Sequence, residues 1–233
     1  MEDHKIVTNV GAQASVSSFM SRVFMWMAVG LVVSTAGSFW LLSQPQLLTA
    51  VVKNQWIFFG LMIAEIGLVI WLSAAAMSMS AGLATMVFVL YSFLNGVTLS
   101  PLFLVYTGGS LVTTFAITAG TFFFFALYGM TTKKDLTGVG GMAVMALFGV
   151  ILASLVNMFL KSSALEWVVT FIAIAVFMGL IAYDTQRLKS MHAMAAENPE
   201  LEKKMVILGA LALYLDFINL FIQLLRIFGK RRD

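Results

Sequence analysis

Seven runs of roughly 20 residues, each apolar almost throughout, leave this chain few folds to choose from. They occupy 23–42, 56–76, 82–105, 110–130, 142–160, 167–186 and 205–228. In hydrocarbon every backbone N–H and C=O must be satisfied within the protein, so only helices and closed barrels span a bilayer. Barrel strands are about 10 residues long and alternate polar with apolar positions; these runs do neither. The expected fold is an all-α polytopic membrane helix bundle of about seven transmembrane helices, with the last helix central. Composition agrees: 61% of residues are hydrophobic and 11% charged, against about 25% charged in soluble domains. A soluble core of this size could not hide that much apolar surface.

The expected organisation is a cytoplasmic N-terminal arm over 1–22, one helical bundle over 23–228 and a basic tail over 229–233. Glu2 and Asp3 precede Lys5, and the first run is too long for a signal-peptide core, so that run is expected to remain as a membrane anchor. Connections are short except for 187–204, which carries Asn198-Pro199 and seven charges and is expected to be a solvated loop with a short interfacial helix. Gly30, Ala36 and Gly37 in the first run, Gly120 in the fourth, and Gly149 and Ala153 in the fifth are expected to permit close helix approach. The sixteen methionines fit adaptable packing better than a metal or cofactor site.

Orientation follows from lysine and arginine placement. With the N-terminus in the cytoplasm, Lys5, Arg22, Lys133, Lys134, Arg187, Lys189, Lys203 and Lys204 face inward, while only Lys53 and Lys161 face outward. The tail conflicts with this, because seven spans place Lys230, Arg231 and Arg232 outside. The last run has neither proline nor a glycine beyond Gly209 at which to turn back, so a seventh span is expected.

Four charged residues lie inside the apolar runs: Glu65, Asp184, Asp216 and Arg226. An acid at the bilayer centre costs roughly 2.5–3.5 kcal/mol on insertion scales, so such groups line cavities or find partners. Asp216 is followed by Asn219, Gln223 and Arg226, which at 100° per residue fall within about an 80° arc. That polar stripe is expected to face the bundle interior, either as a structural hydrogen-bonded network or as a titratable group on an ion or proton path. Asp184 closes the sixth run beside Arg187 and Lys189, where it could equally be solvated at the interface. The candidate partners of Glu65 are Arg226, Asn95 and Asn157. Asn95-Gly96 ahead of Pro101 makes the third run the expected site of a helix break, with Thr98 and Ser100 available to satisfy the freed backbone groups. If Asp184 and Asp216 meet, their titrations couple, because two adjacent carboxylates do not both ionise cheaply. Losing a shared proton would then separate two helices or admit a cation, and the two acids would be oxygen ligands suited to Ca²⁺.

Several chemistries are excluded or disfavoured. Without cysteine there are no disulfides, thiolate metal sites or thiol nucleophiles. His4 and His192 fall outside the apolar runs, which leaves no intramembrane histidine for a metal or a serine nucleophile. The net charge of +3 arises from residues flanking the runs, and no nucleic-acid signature accompanies it. No cofactor is expected beyond Ca²⁺ as a permeant or transiently bound ion. A Tyr-Asp on one helix and an Asp on the next also occur in intramembrane aspartyl proteases, but the second acid there follows Gly-x-Gly, whereas here it follows Leu213-Tyr214-Leu215. No lysine lies between Met205 and Phe228 to hold retinal. A non-conducting protein that modulates other membrane proteins is a further possibility.

Ala182-Tyr183-Asp184-Thr185-Gln186 resembles the penultimate-helix motif of the Bax inhibitor-1 (transmembrane Bax inhibitor motif) family. Leu213-Tyr214-Leu215-Asp216-Phe217-Ile218-Asn219-Leu220-Phe221, continuing through Leu224-Leu225-Arg226-Ile227-Phe228-Gly229, resembles its last-helix signature. The resemblance covers essentially the whole chain, and the short loops resemble the bacterial branch. It implies a bundle of six or seven helices, a pH-sensitive Ca²⁺ leak, Asp184 and Asp216 as proton sensor and Glu65 as the family's second-helix acid. It implies an address in the bacterial inner membrane and links in eukaryotic relatives to stress and cell-death suppression; from the residues themselves no enzyme activity is expected. One departure stands out. Relatives with a latch carry an arginine near the end of the second helix, where this chain has Ser73-Ala74-Ala75-Ala76-Met77-Ser78, so Arg187 or Arg226 would have to replace it.

Overall fold

The computed structural model describes residues 2–195 and 198–232, with side chains described from 15 to 192 and from 198 to 232. Expectations attached to His4, Lys5 and Glu197 therefore lie outside the described side chains. The elements are α1 (Glu2–Leu42), α2 (Pro45–Lys53), α3 (Gln55–Ala75), α4 (Ala81–Leu99), α5 (Leu102–Val105), α6 (Gly108–Thr131), α7 (Thr137–Leu160), α8 (Ser163–Ala195) and α9 (Pro199–Phe228). Among the described residues, seven helical stretches are long and apolar enough to cross a membrane: 15–42, 55–75, 81–105, 108–131, 137–160, 163–192 and 199–228. The chain is a multi-pass helical membrane protein. Large apolar side chains such as Phe159 and Ile63, 81% and 70% exposed, are tolerable because lipid is their solvent.

Local chemistry fixes the helix starts. The Asn54 carboxamide accepts the Trp56 and Ile57 N–H groups at the head of α3, and the Ser80 hydroxyl accepts from Leu83 N at the head of α4. Thr107 caps α6 through Ser110 N. Such side chains satisfy donors that the first helical turn leaves unpaired.

The chain forms two compact units: Met1–Leu102 with Leu188–Tyr214, and Phe103–Arg187 with Leu215–Asp233. In the first, α1 packs on α4 through small residues. Gly37 lies against the Phe93 carbonyl, and Gly96 lies so close to the backbone of Ser34 that a Cβ there would strike its carbonyl oxygen. The Ser38 hydroxyl donates across this seam to the Gly96 carbonyl at 2.6 Å. In the second unit Gly129 plays the same part against the Ala182 carbonyl, while Phe115 and Phe122 of α6 pack on Phe217 of α9.

Several expectations are corrected. Gly120 and Gly149 face open space rather than a neighbouring helix, whereas Gly30 and Gly37 do lie against α4 as expected; Gly96 and Gly129 make further close approaches, because a glycine matters only where a partner passes it. Residues 187–195 and 199–204 do not form a solvated loop with its own short helix but belong to the two long helices. α8 runs on to Ala195 and α9 starts at Pro199, a good first residue for a helix because it has no N–H to leave unpaired. α4 does break, at Ser100-Pro101, with Ser100 N bonded to the Val97 carbonyl at 3.2 Å. Thr98 and Ser100 do not repair that break as expected: Thr98 donates to Glu65, and the Ser100 hydroxyl is buried without a partner among the described residues.

α9 is an unbroken helix, 67% of whose best apolar window is buried against 11% for α3, so the last span is the most enclosed. The tail beyond it is pinned within the second unit. Tyr106 and Arg231 form an antiparallel bridge, Thr107 N donates to the Lys230 carbonyl at 3.0 Å and Arg232 N to the Val105 carbonyl at 2.8 Å. Backbone pairing therefore holds the basic tail beside the start of α6, whatever the charges prefer.

Candidate functional site

Two buried polar sites emerge, one in each unit. In the first unit the Glu65 carboxylate, on an otherwise apolar face of α3, accepts from the Asn95 amide at 3.0 Å and from the Thr98 hydroxyl. The Tyr214 hydroxyl donates to the Asn95 amide oxygen at 2.8 Å and lies 2.6 Å from the Ser34 hydroxyl, which is 2.7 Å from the Ser92 carbonyl. Residues of α3, α4, α9 and α1 thus share one continuous hydrogen-bonded network. Of the three partners expected for Glu65, the structure selects Asn95. Arg226 and Asn157 instead line a cleft in the second unit. Tyr214 and Ser34 were not picked out from the sequence as members of this network. The available signal was the phenol itself, since a tyrosine hydroxyl in an apolar helix must find a partner.

In the second unit the side chains of Asp184 of α8 and Asp216 of α9 lie close enough to interact with one another. Both acids sit on the helices expected to carry them. The contact is possible because α8 continues well past residue 186, so Asp184 lies inside the helix and not at its end. Asp216 is 5% exposed and its Oδ2 has no hydrogen-bond partner among the described residues. Two ionised carboxylates offer acceptors only, so a hydrogen bond between them requires one proton on the pair. Arg187, one turn beyond Asp184, is the cation that acts on it. Of the two arginines expected to stand in for the missing base, Arg187 is the one placed near the pair, while Arg226 lines a cleft.

The polar stripe below Asp216 is less uniform than its arc implied. Asn219 donates to the carbonyl of Leu215 in its own helix at 2.8 Å. The Gln223 amide oxygen is buried and without a partner among the described residues, as is the Thr114 hydroxyl of α6. Arg226 does not face the interior: it is exposed and borders the cleft with Glu166.

His192 also departs from expectation. It lies on α8, buried, stacked on Phe19 at 5.0 Å, with Nε2 3.2 Å from the Ser15 hydroxyl and Nδ1 3.6 Å from Glu202. Serine, histidine and carboxylate thus meet, but Ser15 lies inside the continuous helix α1, whose backbone amides are spent on the helix. Glu202, moreover, is already paired with Arg22. The contact ties three helices together. Among the described residues no group of three or more His, Cys, Asp or Glu side chains is placed to hold a metal.

The chain matches the family described as "Inhibitor of apoptosis-promoting Bax1" over residues 16–233. It belongs to the Bax inhibitor family. It is 49% identical over 224 residues to the "Inner membrane protein YbhL" of Escherichia coli K12, covering 96% of both chains. It is 43% identical to an uncharacterised protein of Borreliella burgdorferi, covering 93% of this chain and 94% of that one. An uncharacterised membrane protein of Streptococcus pyogenes serotype M1 is 35% identical, covering 99% of each. These relatives are bacterial, and each is matched over more than nine-tenths of its length.

Proposed function

We propose that this protein is a pH-sensitive Ca²⁺ leak of the bacterial inner membrane, gated by protonation of the Asp184–Asp216 pair and not an enzyme. The observation that carries the reading is the direct carboxyl–carboxyl contact between α8 and α9, with Arg187 beside it. While one proton is shared, the pair ties the two helices together. Once it is lost, two carboxylates face each other and repel, and the same oxygens become ligands for a passing cation. Two carboxylates fall short of the six to eight oxygens that Ca²⁺ prefers, which suits transit better than storage. The unpartnered Asp216 Oδ2, Gln223 Oε1 and Thr114 hydroxyl add oxygens that water or an ion would satisfy. The inner membrane is proposed from the similarity to the E. coli inner membrane protein YbhL, and a cytoplasmic N-terminus from the eight-to-two basic bias.

The test is flux. Purified protein is reconstituted into liposomes holding a Ca²⁺ indicator, and influx is followed from about pH 6 to about pH 8 to look for titration of the coupled pair. The parent should leak in a pH-dependent manner, and Asp184→Asn or Asp216→Asn should remove that dependence. If the parent is no leakier than empty liposomes at every pH, the leak fails and a non-conducting role in modulating other membrane proteins takes its place.

A further inference from the structure

The second unit contains a polar cleft that the carboxyl pair does not use. It lies where three helices end: α7 at Leu160, α8 starting at Ser163 and α9 at Phe228. Its volume is about 400 Å³, and Asn157, Lys161, Glu166 and Arg226 are among its lining residues. An adjoining hollow shares Glu166 and Arg226 and adds Trp167 and Arg231. Three cations therefore face one carboxylate. The guanidinium groups of Arg226 and Arg231 have no hydrogen-bond or ion-pair partner among the described residues. Lys161 is held in the left-handed conformation, φ 50°, the only non-glycine with positive φ among the described residues. That conformation costs energy for a side chain bearing a Cβ, and here it closes α7 with Lys161 N bonded to the Asn157 carbonyl at 2.7 Å.

The surroundings of the cleft are apolar. Phe159 and Leu160, in the last turn of α7, are 81% and 63% exposed, and Trp167 is 49% exposed and stacked on Phe171. Exposed tryptophan at a span end marks the headgroup level of a bilayer. Unpaired guanidinium groups suit phosphate oxygens because their planar fork donates two hydrogen bonds at once. A free phosphate would need only the cations, whereas a phospholipid would use both the cations and the apolar rim.

We propose that this cleft binds a phosphate-bearing anion, namely the headgroup of an anionic phospholipid, with Arg226, Arg231 and Lys161 on the phosphate and the acyl chains along Phe159, Leu160 and Trp167. With the proposed cytoplasmic N-terminus, this gives the basic cluster, which the positive-inside preference would disfavour on the outer side, a partner at its own end of the second unit. The site is independent of the aspartate pair and of any flux.

Full-length protein in neutral detergent is titrated with dioleoylphosphatidylglycerol or dioleoylphosphatidylcholine, and bound lipid is counted by native mass spectrometry. In a separate arm, inorganic phosphate binding is measured by calorimetry without lipid. The parent should prefer the glycerol lipid by about tenfold, and Arg226→Gln with Arg231→Gln should remove that preference. Glu166→Gln, which deletes the lone opposing charge, should strengthen binding by about threefold, so the proposal stays testable even if the double variant folds poorly. Lys203→Gln with Lys204→Gln, basic residues of the other unit, should change nothing. Inorganic phosphate binding that the double variant abolishes, without lipid preference, would keep the phosphate site but overturn the lipid as its source. Equal binding of both lipids together with no phosphate binding, or unchanged preference in the double variant, would overturn the site itself.

Discussion

Around Glu65 a carboxylate meets an amide and a hydroxyl, whereas around Asp216 a carboxyl meets a second carboxyl. Both acids are buried on apolar helices, at 8% and 5% exposure, yet the two regions answer the cost of burial differently. The donors to Glu65 do not titrate near neutrality, so its hydrogen bonds need no proton from solution and the Tyr214–Ser34 chain continues the same logic. A hydrogen bond between Asp184 and Asp216 requires a proton on the pair. Burial alone therefore does not set how an acid behaves. Under the proposed function, what would separate a structural acid from a switching one is whether its partner can also lose a proton.

The largest effects should come from breaking the helix seams on which each region depends. Gly96→Ala and Gly129→Ala would each drive a methyl group into a backbone carbonyl, of Ser34 and Ala182 respectively, with no flexible side chain to yield. Each should cost at least the roughly 3 kcal/mol upper end of ordinary overpacking, read as a fall in thermal stability in detergent or in the yield of folded protein. Gly120→Ala and Gly149→Ala, with open space around them, should be nearly silent.

The next variant makes one region resemble the other. Asn95→Asp sets a carboxyl opposite Glu65 and also removes the amide donor. The folded protein then holds a proton that the unfolded chain releases, so stability should fall as pH rises. A loss of about 2–3 kcal/mol at pH 8 that shrinks at pH 5 is expected from melting curves. A loss of the same size at both pH values would show that the amide geometry, not the proton, was what mattered.

The reverse change is milder. Asp216→Asn gives Asp184 an amide partner that needs no shared proton, so stability should change by about 1 kcal/mol or less while its pH dependence near neutrality flattens. If the dependence persists unchanged, the switch lies elsewhere. The smallest effect is expected at the surface. The Thr137 hydroxyl and backbone N–H hold the Asp135 carboxyl below its ordinary value of 3.8. A depressed value means the contribution is present above pH 3.8 and disappears as pH falls through the lower folded value. The melting temperatures of the parent and Asp135→Asn should differ slightly at neutral pH and converge in acid.

Much of the site was legible in residue identity. Glu65, Asp184 and Asp216 are conspicuous because charged groups are expensive in lipid, and the motifs around the two aspartates placed them on the last two helices. The rest was not legible for a physical reason in each case. Arg226 shares an arc with Asp216 but lies ten residues on, near the end of α9, where the helix emerges into a cleft; angular periodicity says nothing about depth. Residues 187–195 carry Arg187 and Lys189 and so resemble a loop, but a helix can run past the bilayer with one polar face. Tyr214 counted as one more apolar residue until its hydroxyl met Asn95.

By itself the sequence determined the number of spans, the helical class and the acids that lipid would not tolerate unpaired. Those outcomes follow from the bilayer acting as solvent, which judges each segment separately by length and polarity. Only the tertiary structure decided that Asn95 and not Arg226 meets Glu65, that Arg187 attends the aspartate pair, and that the basic tail is held to Val105 and Thr107 by backbone hydrogen bonds. Those choices rest on contacts between residues far apart in the chain, and no periodicity within a single helix encodes them.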